Sequence, residues 1–152
     1  MVSVGYRLDD KGDGMTQAVA AKGTTFKMNG NPIAEIKNIR GPNETVETID
    51  VTPHAHRDEY QVILPGYVSG GQVAIEGNFI PGDEDGQVAL RDALWDRSVN
   101  GYVITVPSEP KEATITFQGI VTAFEPDFPF DGVASFQAVI SITGKPIMEV
   151  ET

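Results

Sequence analysis

The chain contains no cysteine, so neither disulfide bonds nor thiolate-bound metal ions can stabilise its fold. It has no apolar run of about 18 residues, the length at which a helix could cross a bilayer. Its first residues, MVSVGYRLDD, lack the basic and apolar regions of a signal peptide. These absences indicate a protein made in a reducing cytoplasm, and we expect no membrane among its partners.

Basic residues are scarce, since 11 lysines and arginines stand against 22 aspartates and glutamates and the formal charge is −11. A surface this negative repels phosphate backbones, so we do not expect tight binding to nucleic acid. Two interpretations of the charge stay open. It could only keep a concentrated protein soluble, or it could line a wall past which a polyanion moves without sticking.

Histidines are limited to His54 and His56, which on an extended segment would face the same way. They could bind a metal ion together with Asp58 or Glu59, because imidazole nitrogens and carboxylates are common zinc ligands. Exposed or hydrogen-bonded histidines explain the same pattern without a metal, and we expect none to be bound.

Two acidic turns are similar to calcium-binding loops, one at residues 9–14 and one at residues 83–86. Carboxylates at alternate positions around a glycine can surround a calcium ion, but neither turn continues to the glutamate that closes an EF-hand loop. The sequence also shows no nucleophile elbow, zinc-protease helix or phosphate-binding loop. We therefore expect no cofactor, no metal site and no catalytic residues.

The composition, with 152 residues, 40% apolar content and 22% charged content, is that of one globular domain. Residues 1–22 show no sustained periodicity and are predicted to form an N-terminal arm. Residues 23–146 are predicted to form the domain, and residues 147–152 a C-terminal tail.

Alternation of apolar and polar residues predicts strands through most of the domain. In GQVAIEGNF, Val73 and Ile75 alternate with Gln72 and Glu76, as expected for a strand with one buried face. Three shorter strands upstream are predicted to form an antiparallel meander. Three strands follow downstream, and the apolar phase of the middle one shifts near Gly119, which predicts a bulge. About seven strands predict a mainly β fold, either an antiparallel β-sandwich or a partly closed barrel.

One helix is predicted at about residues 85–98, flanking the sheet. The acidic turn before it places negative charge at the positive end of the helix dipole, and Asp85 could accept a hydrogen bond from a first-turn amide. Leu90 and Leu94, with Trp95 beside them, form an apolar stripe. We expect this stripe to pack on the sheet as part of the core.

A stretch of about 20 residues, 52–71, shows no clean period, and loops of that length inside a compact domain are usually functional or disordered. Its apolar content is too high for a solvated loop, so we expect another subunit to cover it. The candidate inter-subunit residues are His54, Arg57, Asp58, Tyr60, Val62, Leu64 and Tyr67. An equal alternative is that the segment QVIL forms a short strand at a sheet edge of the same subunit.

The order of several phrases resembles a known family. NPIAEIKNIRGPNETVETIDVT is followed by a long loop ending in LPGY, then by GGQVAIEGNF, DGQVALRDAL and VASFQAVISITG. This order, over about residues 24–145, is similar to that of the major tail tube proteins of long-tailed, lambda-like bacteriophages. The resemblance implies a β-sandwich with one flanking helix, related in fold to the Hcp protein of type VI secretion, and a structural role without catalysis.

The resemblance also implies a set of partners. Subunits of that family form hexameric rings that stack into a tube around the tape measure protein, which DNA replaces during ejection. We therefore expect self-assembly, passage of DNA without specific binding, and tail terminator and distal tail proteins at the ends of the tube. We also expect a place in the virion after assembly in the host cytoplasm. The candidate lumen residues are Gln72, Glu76 and Asn78, on the wet face of their strand.

A carbohydrate- or calcium-binding β-sandwich module is the alternative function. Such a module would present two or three exposed aromatic side chains on a strand face, whereas the single tryptophan, Trp95, is predicted to be core. A small hydrolase is a further alternative, but the sequence offers no assembled candidate site for it. A self-assembling tube protein is therefore the leading hypothesis.

Overall fold

The structure is a computed structural model that describes residues 22–55, 59–108 and 111–150. Strands dominate it, and one helix lies between the sixth and seventh strands. The elements are β1 (Thr25–Met28), β2 (Asn31–Pro32), β3 (Ile36–Arg40), β4 (Thr45–Asp50), β5 (Ile63–Ser69), β6 (Gln72–Asn78), α1 (Gln87–Asp96), β7 (Val99–Val106), β8 (Ala113–Asp127) and β9 (Ser135–Val150). The predicted fold class, mainly β with one helix, is confirmed.

Seven strands form one antiparallel sheet in the order β2-β1-β7-β8-β9-β6-β3, and this sheet curls into a half-barrel. The remaining two strands, β4 and β5, pair only with each other. The predicted upstream meander is therefore wrong, because β1 and β3 occupy opposite sides of the sheet and β4 leaves it. Only residues 33–35 separate β2 from β3, so the curl has to bring the two edges of the sheet close together.

The core fills the concave side of the curled sheet. Phe26, Tyr102 and Phe117 pack together there, with ring centroids 5.5 to 6.3 Å apart, and all three side chains are buried. Burial raises the pKa of Tyr102 to about 12, so its hydroxyl stays neutral at physiological pH. Each of the three is flanked along its strand by more exposed residues, as expected for a strand with one buried face.

The long β8–β9 hairpin carries an irregularity close to the predicted one. Its pairing register shifts between Thr116 and Gln118 and again between Val121 and Ala123, on either side of Gly119. A Cβ atom at Gly119 would lie within 2.7 Å of the side chain of Ile140, so only glycine fits there.

The predicted C-terminal tail is wrong for residues 147–150, because β9 continues to Val150 and pairs with the start of β8. The sequence hides this part of the strand because Ile147, Met148 and Val150 are all exposed. Alternation between a wet and a buried face, the usual strand signal, is therefore lost. Residues 151–152 and most of the predicted N-terminal arm lie outside the described residues.

The helix spans Gln87–Asp96, inside the predicted range, but its ends differ from the expectation. The first-turn amide of Gln87 donates to Oδ2 of Asp83 at 3.0 Å, so Asp83 rather than Asp85 satisfies it. The same carboxylate oxygen accepts from the backbone N–H of Ala34 at 2.9 Å. Asp83 therefore joins the helix start to the β2–β3 connection, which a pattern of local charges could not indicate.

Gln87 is the one buried polar residue within the described parts of the chain, with 1% of its surface exposed. Its Oε1 accepts from the backbone N–H of Ile80 at 2.8 Å. Its Nε2 donates to the carbonyl oxygens of Ala34 at 2.9 Å and Asn78 at 2.8 Å. One amide side chain thus satisfies three backbone groups and anchors the helix to both β6 and the β2–β3 connection.

Replacing Gln87 with Leu is expected to lower the free energy of unfolding by about 3 kcal/mol, because buried backbone groups that lose a partner cost about 1–3 kcal/mol each. Chemical denaturation of the purified subunit measures the change. The matched control is Gln118→Leu at an exposed position of β8, which is expected to change stability by less than about 0.5 kcal/mol. Equal stabilities of the two variants would contradict the anchoring role.

Candidate assembly surfaces

A two-stranded ribbon, formed by β4 (Thr45–Asp50) and β5 (Ile63–Ser69), is separate from the main sheet. Its register pairs Val46 with Val68 and Ile49 with Leu64. Val46 and Ile49 are three positions apart on β4, so the pair Val46–Val68 lies on one face and the pair Ile49–Leu64 on the other. Tyr67, beside a register shift in β5, has 86% of its surface exposed. Apolar side chains are exposed on both faces of the ribbon, which marks an interaction surface.

The ribbon joins the main sheet at Gly71, between β5 and β6. Gly71 has φ +75°, and a Cβ atom there would collide with the carbonyl oxygen of Asn43. Its own carbonyl oxygen accepts from the backbone N–H of Ile142 on β9 at 2.9 Å. Only glycine allows this conformation together with such a close approach, so the direction of the ribbon is set by backbone contacts.

The far end of the ribbon is closed by Thr52. Its hydroxyl donates to Oδ1 of Asp50 at 2.7 Å and accepts from the backbone N–H of Val62 at 2.7 Å. The Thr52 hydroxyl and backbone N–H together hold the pKa of Asp50 below its usual value. The hydrogen bonds of Thr52 therefore stabilise both the ionised carboxylate of Asp50 and the pairing at this end of the ribbon.

The predicted long loop is largely this ribbon. The alternative prediction, a strand within the same subunit, is correct in kind, but the partner is β4 in a separate sheet and the strand begins at Ile63. The segment Pro65-Gly66 obscured its alternation. Of the candidate inter-subunit residues, those described are exposed, namely His54, Tyr60, Val62, Leu64 and Tyr67. Arg57 and Asp58 lie outside the described residues, as does His56.

The outer face of the main sheet carries the candidate lumen residues. Gln72, Glu76 and Asn78 share one face of β6, opposite the buried Val73 and Ile75. This confirms the alternation predicted for the strand, while the assignment of that face to a lumen stays a prediction.

Glu76 lies in a row of polar side chains that crosses four strands. It accepts a hydrogen bond from Nδ2 of Asn38 on β3 at 3.4 Å. On its other side it pairs with Gln137 of β9, which in turn pairs with Glu125 of β8. Paired residues of an antiparallel sheet share a face, so this row presents two carboxylates and two amides to solvent.

The helix stripe is partly as predicted. Leu90 is fully buried, and Leu94 is partly buried against the core. The prediction for Trp95 is wrong, because 70% of its surface is exposed. Trp95 follows Leu90 by five positions and so turns away from the stripe, and the guanidinium of Arg91 covers its ring at 5.5 Å. Gln87, three positions before Leu90, takes the buried place, and only its helical spacing could have indicated it.

Clusters of metal ligands and long apolar helices are missing from residues 22–55, 59–108 and 111–150. No group of three or more possible metal ligands comes together there. No helix in these segments is long and apolar enough to span a bilayer. The acidic turn at residues 83–86 starts the helix, since Asp83 accepts its first amide.

The structure combines an open curled sheet with a ribbon whose apolar side chains are exposed. The family model of the lambda phage tail tube protein matches residues 17–149, and the chain belongs to this family. The family is structural rather than enzymatic. The chain is therefore a tail tube protein of the virion, which argues against the carbohydrate- or calcium-binding alternative.

Solved structures share the fold. The tail of an empty gene transfer agent particle, computed with C6 symmetry, matches with a TM-score of 0.71 and 20% identity, covering 87% of this chain and 99% of that one. The sheath/tube terminator of PVC, an extracellular contractile injection system, gives 0.68 and 12%, with 87% and 96% covered. The SPP1 tail tube gives 0.66 and 11%, with 88% and 80% covered. Comparison with curated protein sequences gives no match.

Truncating Leu90 and Trp95 separately tests the two placements on the helix. Leu90→Ala is expected to lower the free energy of unfolding by about 3 kcal/mol, because it leaves a cavity in the core. Trp95→Ala is expected to cost at most about 1 kcal/mol, mainly through the lost Arg91 contact. Denaturant titrations of the unassembled subunit measure both, and a larger loss for Trp95→Ala would reverse the assignment.

Proposed function

We propose that copies of this chain form hexameric rings that stack into the tail tube through which DNA leaves the particle. The observation that carries the proposal is the ribbon, whose apolar side chains on both faces have no core beneath them. A two-stranded ribbon alone is marginally stable in water. A neighbouring ring supplies the missing apolar partner, so stacking stabilises the ribbon and the tube together.

Six-fold rings are supported by the symmetry of a related tail. The gene transfer agent tail that shares this fold has C6 symmetry. The open sheet offers unpaired backbone groups along β3 at one edge, and edges of this kind pair readily with a further strand. When the same contact is repeated around an axis, the ring closes if a whole number of copies completes a full turn.

The polar outer face of β6 and β9 is the surface we assign to the lumen. The row through Glu76 carries two carboxylates, which repel phosphate, and two amides, and Arg40 lies beside it on the same face. Each ring repeats the row six times in the proposed tube, and stacking continues it along the axis. DNA, and before it the tape measure protein, would then pass without adhering.

The partners follow from this assembly. The chain binds further copies of itself, the tape measure protein fills the lumen, and tail terminator and distal tail proteins close the two ends. Assembly takes place in the host cytoplasm. The similarity to a sheath/tube terminator supports this set, because one fold can serve both the tube and its end.

Replacing Leu64 and Tyr67 together with Ser tests the stacking role of the ribbon. Both side chains are exposed in the subunit, so its melting temperature is expected to stay nearly unchanged. The concentration required for tube formation is expected to rise about 100-fold or more, since each large apolar side chain contributes about 1.5–3 kcal/mol on burial. Sedimentation and negative-stain microscopy across a concentration series measure it.

The control is Thr48→Ser on the same ribbon, which removes one methyl group and is expected to assemble as the parent does. Normal tube formation by the doubly substituted protein would contradict the proposal that the ribbon joins the rings.

Replacing Glu76 with Lys tests the lumen assignment. The side chain is exposed, so the variant is expected to fold and assemble, whereas its tubes should retain DNA and slow its passage. The effect should be largest at low salt, because screening acts over about 10 Å at 0.1 M. Ejection rates at several salt concentrations measure it. Glu76→Gln, which removes the charge without reversing it, should fall between the two, and identical low-salt rates would place Glu76 outside the lumen.

A further inference from the structure

The two edges of the curled sheet approach each other without joining. No pairing within the described residues connects β1 with β3. A cleft of about 440 Å³, the seam cleft, lies between β3 and the segment 22–24 that leads into β1. The apolar side chains of its lining are Ile36, Ile39, Ile104, Val106 and Ile115. This volume is within the range of small ligand pockets, about 300–1,000 Å³.

The charge of this seam cleft is opposite to that of the chain as a whole. Lys22 and Lys37 belong to its lining, and no carboxylate does. In a chain with twice as many acidic as basic residues, an apolar cleft with two lysines and no acid stands out. Its best occupant is a segment that combines an aromatic or aliphatic side chain with carboxylates.

The chain carries such a segment at the β8–β9 tip (residues 125–133), every residue of which is exposed. Phe130 at its apex is fully exposed, while Phe128 packs edge-on against Phe79 with ring centroids 5.3 Å apart. A turn closed by the Gly132 N–H and the Pro129 carbonyl oxygen, 3.4 Å apart, shapes the apex. The carboxylates of the tip are Glu125, Asp127 and Asp131.

We propose that the β8–β9 tip of one subunit docks into the seam cleft of a neighbouring copy. Phe130 enters between the isoleucines of the lining, and Asp127 and Asp131 face Lys22 and Lys37. The proposal rests on the proposed self-assembly and names one of its contacts. Buried aromatic side chains flanked by complementary charge are typical of the residues that dominate interface energies.

The tip cannot fill its own cleft. β8 runs from the cleft, where Ile115 lies in the lining, to the tip. Ile115 in the cleft lining and Asp127 at the tip are 127 − 115 = 12 positions apart on β8, up to about 40 Å of extended backbone. A contact between two different patches is head-to-tail, the kind that builds rings and filaments.

Cysteine pairs test the contact directly, because the parent chain contains no cysteine. Thr24→Cys at the cleft and Val133→Cys at the tip, where the side chain is exposed, are combined in one chain. They are expected to give a ladder of intermolecular crosslinks in assembled protein under mild oxidation or with a short bismaleimide. A mixture of the two single variants should give dimers only, and either single variant alone should give none. The control pair, Thr24→Cys with Asp92→Cys on the helix, should give no ladder.

Charge exchange gives an independent readout. Asp127→Lys with Asp131→Lys, or Lys22→Glu with Lys37→Glu, is expected to raise the assembly concentration at least about 10-fold, and all four together to restore it to within about three-fold. Tubes without crosslinks, or without rescue, would overturn the docking contact while leaving the tube function intact. A chain that stays monomeric at high concentration would overturn both.

Discussion

The unpaired backbone of an open antiparallel sheet is the constraint on which the rest of this structure depends. Seven strands that curl without closing leave donor and acceptor groups along β3 at one edge and along the β1–β2 side at the other. An apolar cleft lies beside β3, and a separate ribbon adds two further edge strands. The core of the subunit is buried, whereas its sheet edges and its ribbon are exposed. This difference is the physical basis of the proposed assembly.

The core could be predicted from the sequence because burial there leaves a regular pattern. Val73 and Ile75 alternate with exposed polar neighbours on β6, and the spacing of Leu90 and Leu94 marks the buried stripe of the helix. The bulge near Gly119 was predicted from a phase shift for the same reason. Where one face of an element is buried and the other exposed, the hydrophobic periodicity of the sequence indicates both the type of secondary structure and its buried face.

The features connected with assembly gave weaker signals. The ribbon exposes apolar side chains on both faces, so β5 shows no alternation and resembles an apolar loop. The end of β9 is exposed for the same reason, and Trp95 is a large apolar residue at the border of its stripe. The order of strands in the sheet also depends on which edges meet, which the periodicity of each strand does not encode. Gln87 was missed because a buried amide depends on backbone partners distant in sequence.

The proposed tube assigns a position to the ribbon and to the charged surfaces of the subunit. The acidic row through Glu76 is exposed, and its member Asn38 also belongs to the lining of the seam cleft, where Lys22 and Lys37 are found. A helical cryo-electron microscopy reconstruction of the protein assembled at high concentration tests this account most directly. It should show rings of six copies, with the ribbon of each ring buried against the next ring and Glu76 facing the lumen. A tube whose ribbons stay exposed to solvent, or whose lumen is formed by another face of the sheet, would contradict it.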